Sequence, residues 1–524
     1  MPSLSIRSVP CLLLLCLFTS IPSQAEDSPP ALPNIILIYT DDQGYGDLGA
    51  NNPEAKFATP HLDRLAAEGL NFTDAHSPDA VCTPSRYGLL TGRYCWRTRL
   101  KRNVLGADEP ALIPADRLTL ASLLRQRGYA TAMVGKWHLG MDIPGQNGAR
   151  DFAEPIRDMP LDNGFDYFYG LPASLNFGYL AWIEGRHTAQ PPTLFTRKKP
   201  NKLPGVFSDY RITPPYDLSE GLEVAPDFDD LLCLTRFTEK ALAWMQLQLA
   251  QKEEEKPFFL YLPYTSPHKP VIPRRNFRGQ SQAGAYGDFM METDHHIGTI
   301  LSFLEQEKIS DNTLLIVSSD NGPETTYRKR VATYGHDSAG PFRGGKRDVY
   351  EGGHRVPFLM RWPAGISNPG RICDEPICQT DLLATLAELV GSELDAHSGE
   401  DSVSFFHLLK NEESRQAQAP LVHHGFDGQF AIRLGDWKLL LPHGKKREEL
   451  YHLAQDPEEK HNLAPGHPER VLAMKQKLTE IVTNGRSTPG PRVPNDTGYW
   501  DDLTWISESA YLQEEDQLKQ APLP

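Results

Sequence analysis

Three apolar runs in this chain each end in a cluster of polar or charged residues, and that repeat limits the fold it can adopt. Asn34-Ile35-Ile36-Leu37-Ile38-Tyr39 leads into Thr40-Asp41-Asp42. Phe258-Phe259-Leu260-Tyr261-Leu262 leads toward Ser266-Pro267-His268, and Thr313-Leu314-Leu315-Ile316-Val317 toward Asp320-Asn321-Gly322. Runs that do not alternate with polar residues suit strands covered on both faces, which is the situation of parallel strands between helices. A further run, Ala130 to Val134, ends in Gly135-Lys136-Trp137-His138. Between the runs, residues 59–69, 116–127, 229–252 and 285–306 carry apolar positions at helical spacing. The expectation is an α/β fold, a large doubly wound mixed sheet flanked by helices. Open sheets of this kind collect functional groups at the carboxyl ends of their strands, where all four polar clusters fall.

The remaining organisation follows from composition. Residues 1–25 hold Arg7, an apolar run from Cys11 to Phe18 and a small residue at Ala25, the pattern of a signal peptide for export. That run is too short to span a bilayer, and no other stretch is apolar enough to do so. Residues 26–390 are expected to form the catalytic domain. Within it, 174–228 are rich in Pro, Tyr and polar residues and read as an insertion over the strand ends, carrying the basic cluster Arg197-Lys198-Lys199 and Lys202. Residues 391–485 then read as a smaller unit, an antiparallel sheet of four strands with a helix near 467–483. Residues 486–524 are expected to be a loosely held tail. The formal net charge of −15 argues against a general nucleic-acid binder, so any anion must be recognised locally. Outside the signal and Cys82, the cysteines are Cys95, Cys233, Cys373 and Cys378; Cys373 and Cys378 could close a small loop or stay as free thiols.

Cys82-Thr83-Pro84-Ser85-Arg86 is the most specific chemical signal. A proline two residues after the cysteine suits the first turn of a helix, where its missing N–H costs nothing. Cys82 then sits at a helix N-terminus, which favours an anion, and Arg86 lies about one turn on. Asp41, Asp42, Asp320 and Asn321 supply three carboxylates and one amide oxygen at two strand ends. Adjacent carboxylates repel unless a cation lies between them, and an all-oxygen set suits calcium or magnesium better than zinc. Lys136, His138, His268 and Lys346 add positive groups from other loops. None would stand out singly, but their shared position predicts a cationic pocket for a tetrahedral oxyanion.

The Cys82 run, with Leu90-Thr91-Gly92-Arg93 behind it, resembles the signature of sulfatases. So do Asp41-Asp42-Gln43-Gly44-Tyr45-Gly46-Asp47, Gly135-Lys136-Trp137-His138, Ser266-Pro267-His268, Ser319-Asp320-Asn321-Gly322 and Glu351-Gly352-Gly353-His354-Arg355-Val356-Pro357. Arg433-Leu434-Gly435-Asp436-Trp437-Lys438-Leu439 resembles the family's C-terminal domain, and the nearest subgroup is the arylsulfatase and N-acetylgalactosamine-sulfatase type. The resemblance implies an alkaline-phosphatase-like fold and hydrolysis of a sulfate ester of a small molecule or carbohydrate. It implies that a formylglycine-generating enzyme converts Cys82 to formylglycine (3-oxoalanine), whose hydrate is nucleophile and metal ligand. Asp41, Asp42, Asp320 and Asn321 would hold one calcium ion, with Cys82 completing the set. Arg86 and Lys136 would steady the hydrate. Lys136, His268 and Lys346 would bind sulfate, and His138 would take a proton from the second hydroxyl. Ser174 matches a looser substrate-contact motif.

Two other readings stand beside this one. A phosphodiesterase or phosphonate monoester hydrolase shares the fold, but its zinc or manganese members carry histidine where this chain has Asn321. A non-catalytic binder of sulfated glycans would be expected to lack some of the nucleophile, ligand and cationic residues, and all are present.

Overall fold

A computed structural model describes residues 32–197, 203–204, 220–251, 256–412 and 419–520. The expected signal peptide and the basic residues Lys198, Lys199 and Lys202 lie outside them. Pro33 onward forms one compact unit.

Its centre is a ten-stranded mixed sheet built from β1 (Asn34–Asp41), β2 (Leu70–Phe72), β3 (Ala130–Lys136), β4 (Tyr167–Leu171), β5 (Ile183–Glu184), β6 (His187–Thr188), β7 (Phe258–Pro267), β8 (Thr313–Ser319), β9 (Phe358–Arg361) and β10 (Arg371–Cys373). Across the sheet the order is β10-β2-β9-β8-β1-β7-β3-β4-β5-β6. The five strands from β8 to β4 run parallel, and β1 is the middle strand of the apolar trio, with Ile36 opposite Leu260 on one side and Leu315 on the other. Ile35 through Tyr39 have no exposed surface, as an unalternating run requires. The large mixed sheet flanked by helices is therefore the architecture the apolar runs imply.

Helices α1 (Pro60–Glu68), α2 (Cys82–Thr91), α3 (Leu120–Gln126), α4 (Cys233–Ala250), α5 (Gly284–Gln306) and α6 (Leu382–Leu389) flank this sheet. A second sheet of β11 (Leu421–His424), β12 (Phe430–Leu434), β13 (Trp437–Leu440) and β14 (Glu449–His452) is antiparallel throughout, with α7 (Pro468–Asn484) against it. Leu439, Leu450, Leu478 and Ile481 form its core with Trp96 from the main unit.

Burial orders parts of two segments. In the segment from 174, Leu180, Ala181, Trp182 and Ile183 are buried, and β5 and β6 extend the main sheet beyond β4. Trp182 stacks on Tyr169 and meets Phe237 of α4 edge-on, so apolar burial fixes the stretch despite its polar composition. The other segment is the tail. Leu503 and Tyr511 are buried in the core of the second sheet, and Arg93 reaches Asp496 at 2.9 Å. Helix α8 (Glu508–Gln520) follows. All five described cysteines are free and buried, so Cys373 and Cys378 do not pair. Among the described residues, no helix is long and apolar enough to cross a membrane.

Candidate active site

The ends of β1, β3, β7 and β8 and the start of α2 converge on one buried cluster. Cys82 is the first residue of α2, after an extended Val81, so its side chain sits where helix N–H groups are unpaired. Ligand-type atoms of Asp41, Asp42, Cys82 and His268 all lie within 4.8 Å of one another. Asp320 and Asn321 close the group from β8: the Asp42 amide donates to Asp320 Oδ1 at 3.1 Å, and Asn321 Nδ2 donates to Asp42 Oδ1 at 2.8 Å. Asp42 and His138 both have positive φ, 66° and 62°. Such conformations cost non-glycine residues about 1 kcal/mol or more and persist where the surroundings impose them.

The cations lock into this frame. Lys136 Nζ donates to Asp41 at 2.6 Å, and Lys346 Nζ donates to Asp42 at 2.5 Å while lying 3.4 Å from Cys82 Sγ. Arg86 binds Asp320 Oδ2 through Nε and Nη2 and donates to the Lys136 carbonyl through Nη1. His268 Nε2 is 3.7 Å from Asp42, with its Nδ1 directed at the Lys269 carbonyl at 2.6 Å. Gly135 makes room for the lysine's strand: a Cβ there would come within 2.0 Å of the Pro263 carbonyl oxygen on β7.

His138 stands slightly apart. Its Nε2 lies 3.0 Å from the Leu105 carbonyl, which can only accept, so that nitrogen carries the proton. Nδ1 is left as the basic nitrogen, buried and without a partner. Burial, reinforced by the Lys136 and Arg86 charges, holds the imidazole well below its usual pKa and hence neutral. The Phe177 ring packs 5.1 Å from it, and Ser174, in the same turn, has a buried hydroxyl without a partner. No motif had singled out Phe177, because an aromatic in a loop carries no spacing signal.

Two electrostatic features limit the chemistry. Burial pushes the Cys82 thiol up to about 11 despite Lys136 and Lys346, so unaltered sulfur would be a neutral thiol and a weak nucleophile. Burial and the Asp41 charge push Asp320 up as well. Hydrogen bonding adds a further observation: Asp41 Oδ1, Asp42 Oδ2 and Asn321 Oδ1 are buried without any hydrogen-bond partner. Buried oxygens are rarely left unpaired, and three in one cluster fit a hard cation.

Comparison with known proteins agrees with this geometry. The family model named Sulfatase matches residues 33–392, well over half of the chain. The chain belongs to the sulfatase family. A second model, described as N-sulphoglucosamine sulphohydrolase, C-terminal, matches residues 343–484. Among curated relatives, the N-acetylgalactosamine-6-O-sulfatase of Bacteroides thetaiotaomicron is 32% identical over 486 residues, covering 86% of this chain and 93% of the relative. Human arylsulfatase A is 32% identical over 490 residues, covering 88% and 90%. A solved Bacteroides thetaiotaomicron structure, described under the metabolism of multiple glycosaminoglycans, superposes with a TM-score of 0.74 at 31% identity over 86% of this chain and 99% of that one. The chain is thus a sulfatase-family enzyme, and the family supports sulfate-ester hydrolysis as its reaction.

Proposed function

We propose that this sulfatase cleaves a carbohydrate or aryl sulfate monoester, with Cys82 converted to formylglycine and one calcium ion held by Asp41, Asp42, Asp320 and Asn321. Three buried oxygens without partners, beside the first residue of α2, are the observation that most supports this reading. When present, the two groups supply a pair of geminal hydroxyls at position 82 and a positive charge that acidifies one of them.

The chain's own residues do the rest. Lys136 and Lys346 each donate to a carboxylate and bind the sulfate oxygens through their remaining N–H groups. His268 presents Nε2 to the same space; its Nδ1–H is given to the Lys269 carbonyl, so it serves the departing alcohol oxygen as a proton donor only as the doubly protonated imidazolium beside Asp42. His138 accepts the proton of the second hydroxyl at Nδ1, which its Nε2 bond to Leu105 keeps free. Arg86 holds Asp320 in register with the Lys136 backbone and so keeps the β8 and β3 ends together. Burial of the whole group strengthens each of these interactions by excluding water. Residues 1–25 direct export in the same reading.

The test is the mass of the Cys82 peptide from protein produced with a formylglycine-generating enzyme. Aldehyde at Cys82, in proportion to activity on an aryl sulfate, is expected. Fully active protein that retains the thiol overturns the proposal.

A further inference from the structure

Each of three loops that carry a pocket residue also carries a charged residue just outside it. Lys269 follows His268, Arg347 follows Lys346, and Glu324 lies three residues after Asn321. The structure joins them: Glu324 takes both Nη atoms of Arg347, at 2.6 and 3.0 Å, and Lys269 Nζ lies 3.3 Å from its Oε2. Asp42, Lys269 and Glu324 line one small cavity.

The arrangement is unequal in two ways. Two cations, Lys269 and Arg347, meet at the one Glu324 carboxylate. Glu324 is also the best covered of the three, with 12% of its side chain exposed, against 22% for Lys269 and 35% for Arg347. The carboxylate therefore sits behind and the cations face outward. The Arg347 backbone is fixed independently, at φ 83°, by donation to the Ala80 carbonyl and by acceptance from the Phe426 amide. Glu324 takes one N–H from each Nη, so an oxyanion would meet the remaining N–H groups of a planar guanidinium on a fixed backbone. On a protein of net charge −15, an outward-facing pair of cations beside the reaction pocket marks a recognition site.

We propose that Arg347 and Lys269, held by Glu324, form a subsite for a second anionic group on the substrate, a uronate carboxylate or a second sulfate one sugar position away from the ester that is cut. This rests on the sulfatase reading and narrows its substrate class to polyanionic glycans. Arg347 and Lys269 are specificity residues, remote from the breaking bond.

The experiment compares KM on 4-nitrophenyl sulfate, a monosulfated hexosamine, a disulfated hexosamine and a sulfated disaccharide containing a uronate. The wild type is expected to show a KM at least ten-fold lower for one of the two polyanionic sugars than for the monosulfated one, and the sugar favoured identifies the second anion. Arg347→Gln and Lys269→Gln should each cut that ratio about five-fold, and the preference should weaken as salt rises. Glu324→Gln, which removes the shared carboxylate charge, should keep the preference. Equal KM values across the three sugars in the wild type overturn the proposal. So does a loss of kcat on every substrate in Arg347→Gln, which would make the cluster a strut between loops. Activity on 4-nitrophenyl sulfate tests the sulfatase reading separately.

Discussion

Two buried polar clusters in this protein use the same kinds of residue to opposite ends. One is the pocket of Asp41, Asp42, Cys82 and His268. The other, His76, Glu351, His354 and His423, lies where the second sheet meets the first, and it also gathers metal-type side chains within 4.8 Å. The difference lies in what is already satisfied. In the second cluster Lys438 from β13 reaches Glu351 at 2.8 Å, Glu459 at 2.9 Å and His354 Nε2 at 3.0 Å. His354 and His76 face each other through Nδ1 at 2.9 Å, His76 Nε2 meets Asp74 at 2.8 Å, and Arg433 from β12 binds the same carboxylate twice. One chain of hydrogen bonds from Lys438 to Asp74 accounts for these imidazole nitrogens, with protein cations supplying the charge. The pocket instead keeps three carboxylate and amide oxygens unpaired. Three unpaired oxygens mark the site; in the strut the carboxylates face protein cations, and what stays without a partner is a ring nitrogen, His423 Nε2.

The strut also positions the pocket. His424, at the end of β11, contacts Asp79 at 2.8 Å, and its carbonyl accepts from Ala80, two residues before Cys82. The second sheet therefore supports the loop that delivers the start of α2.

The largest effect that tests this contrast is at Asn321. Asn321→Ala should lower kcat/KM on the order of 10³-fold and remove bound calcium while the protein still unfolds cooperatively. Metal content by mass spectrometry checks it; calcium retained at full stoichiometry would mean the ligand set is misassigned. Next comes Lys438→Met, which strands Glu351 and Glu459 without their cation. Burial alone would raise the Glu351 pKa, but Lys438 together with His76, His354 and Arg355 holds the group well below the usual range. Removing one partner of such a buried pair costs about 3 kcal/mol, readable in urea unfolding, whereas calcium stoichiometry in the folded fraction should not change. Loss of calcium in that variant would erase the distinction between strut and site.

The smallest effect is a pH slope. Burial keeps His423 and His354 well below the ordinary histidine pKa. A group with a depressed folded pKa contributes stability above its unfolded pKa and loses it as the pH falls, so stability should decline below about pH 6.5. His423 stacks on His354 at 3.7 Å and 8°. His423→Phe keeps a ring in the stack and removes one titrating group, which should flatten the acid slope by about 1.4 kcal/mol per pH unit. Unfolding measured at pH 7.5, 6.5 and 5.5 in both proteins decides it; an identical slope would show that His423 takes no part.

Much of the pocket was legible because its residues come attached to strands. Asp41, Lys136, His268 and Asp320 each terminate or closely follow an apolar run, so architecture alone brings them to one rim. The strut was not legible. Asp74 and His76 follow β2, whereas Arg433 and Lys438 lie in the second sheet more than 350 residues on, as in the Arg433–Asp74 pair, and no spacing rule links them. The same applies to β5, β6 and the segment from 486: their sequences are polar and rich in proline, and only the partners Tyr169, Phe237 and Trp96 supply the apolar contact that orders them.

Local order in the sequence determined which residues could serve the chemistry, because an apolar run fixes a strand and the residue after it must emerge at the strand's end. Tertiary packing alone decided which buried charges were paired and which oxygens were left open. That choice depends on side chains arriving from distant segments, and a desolvated charge is stable only where such a partner, or a bound ion, meets it.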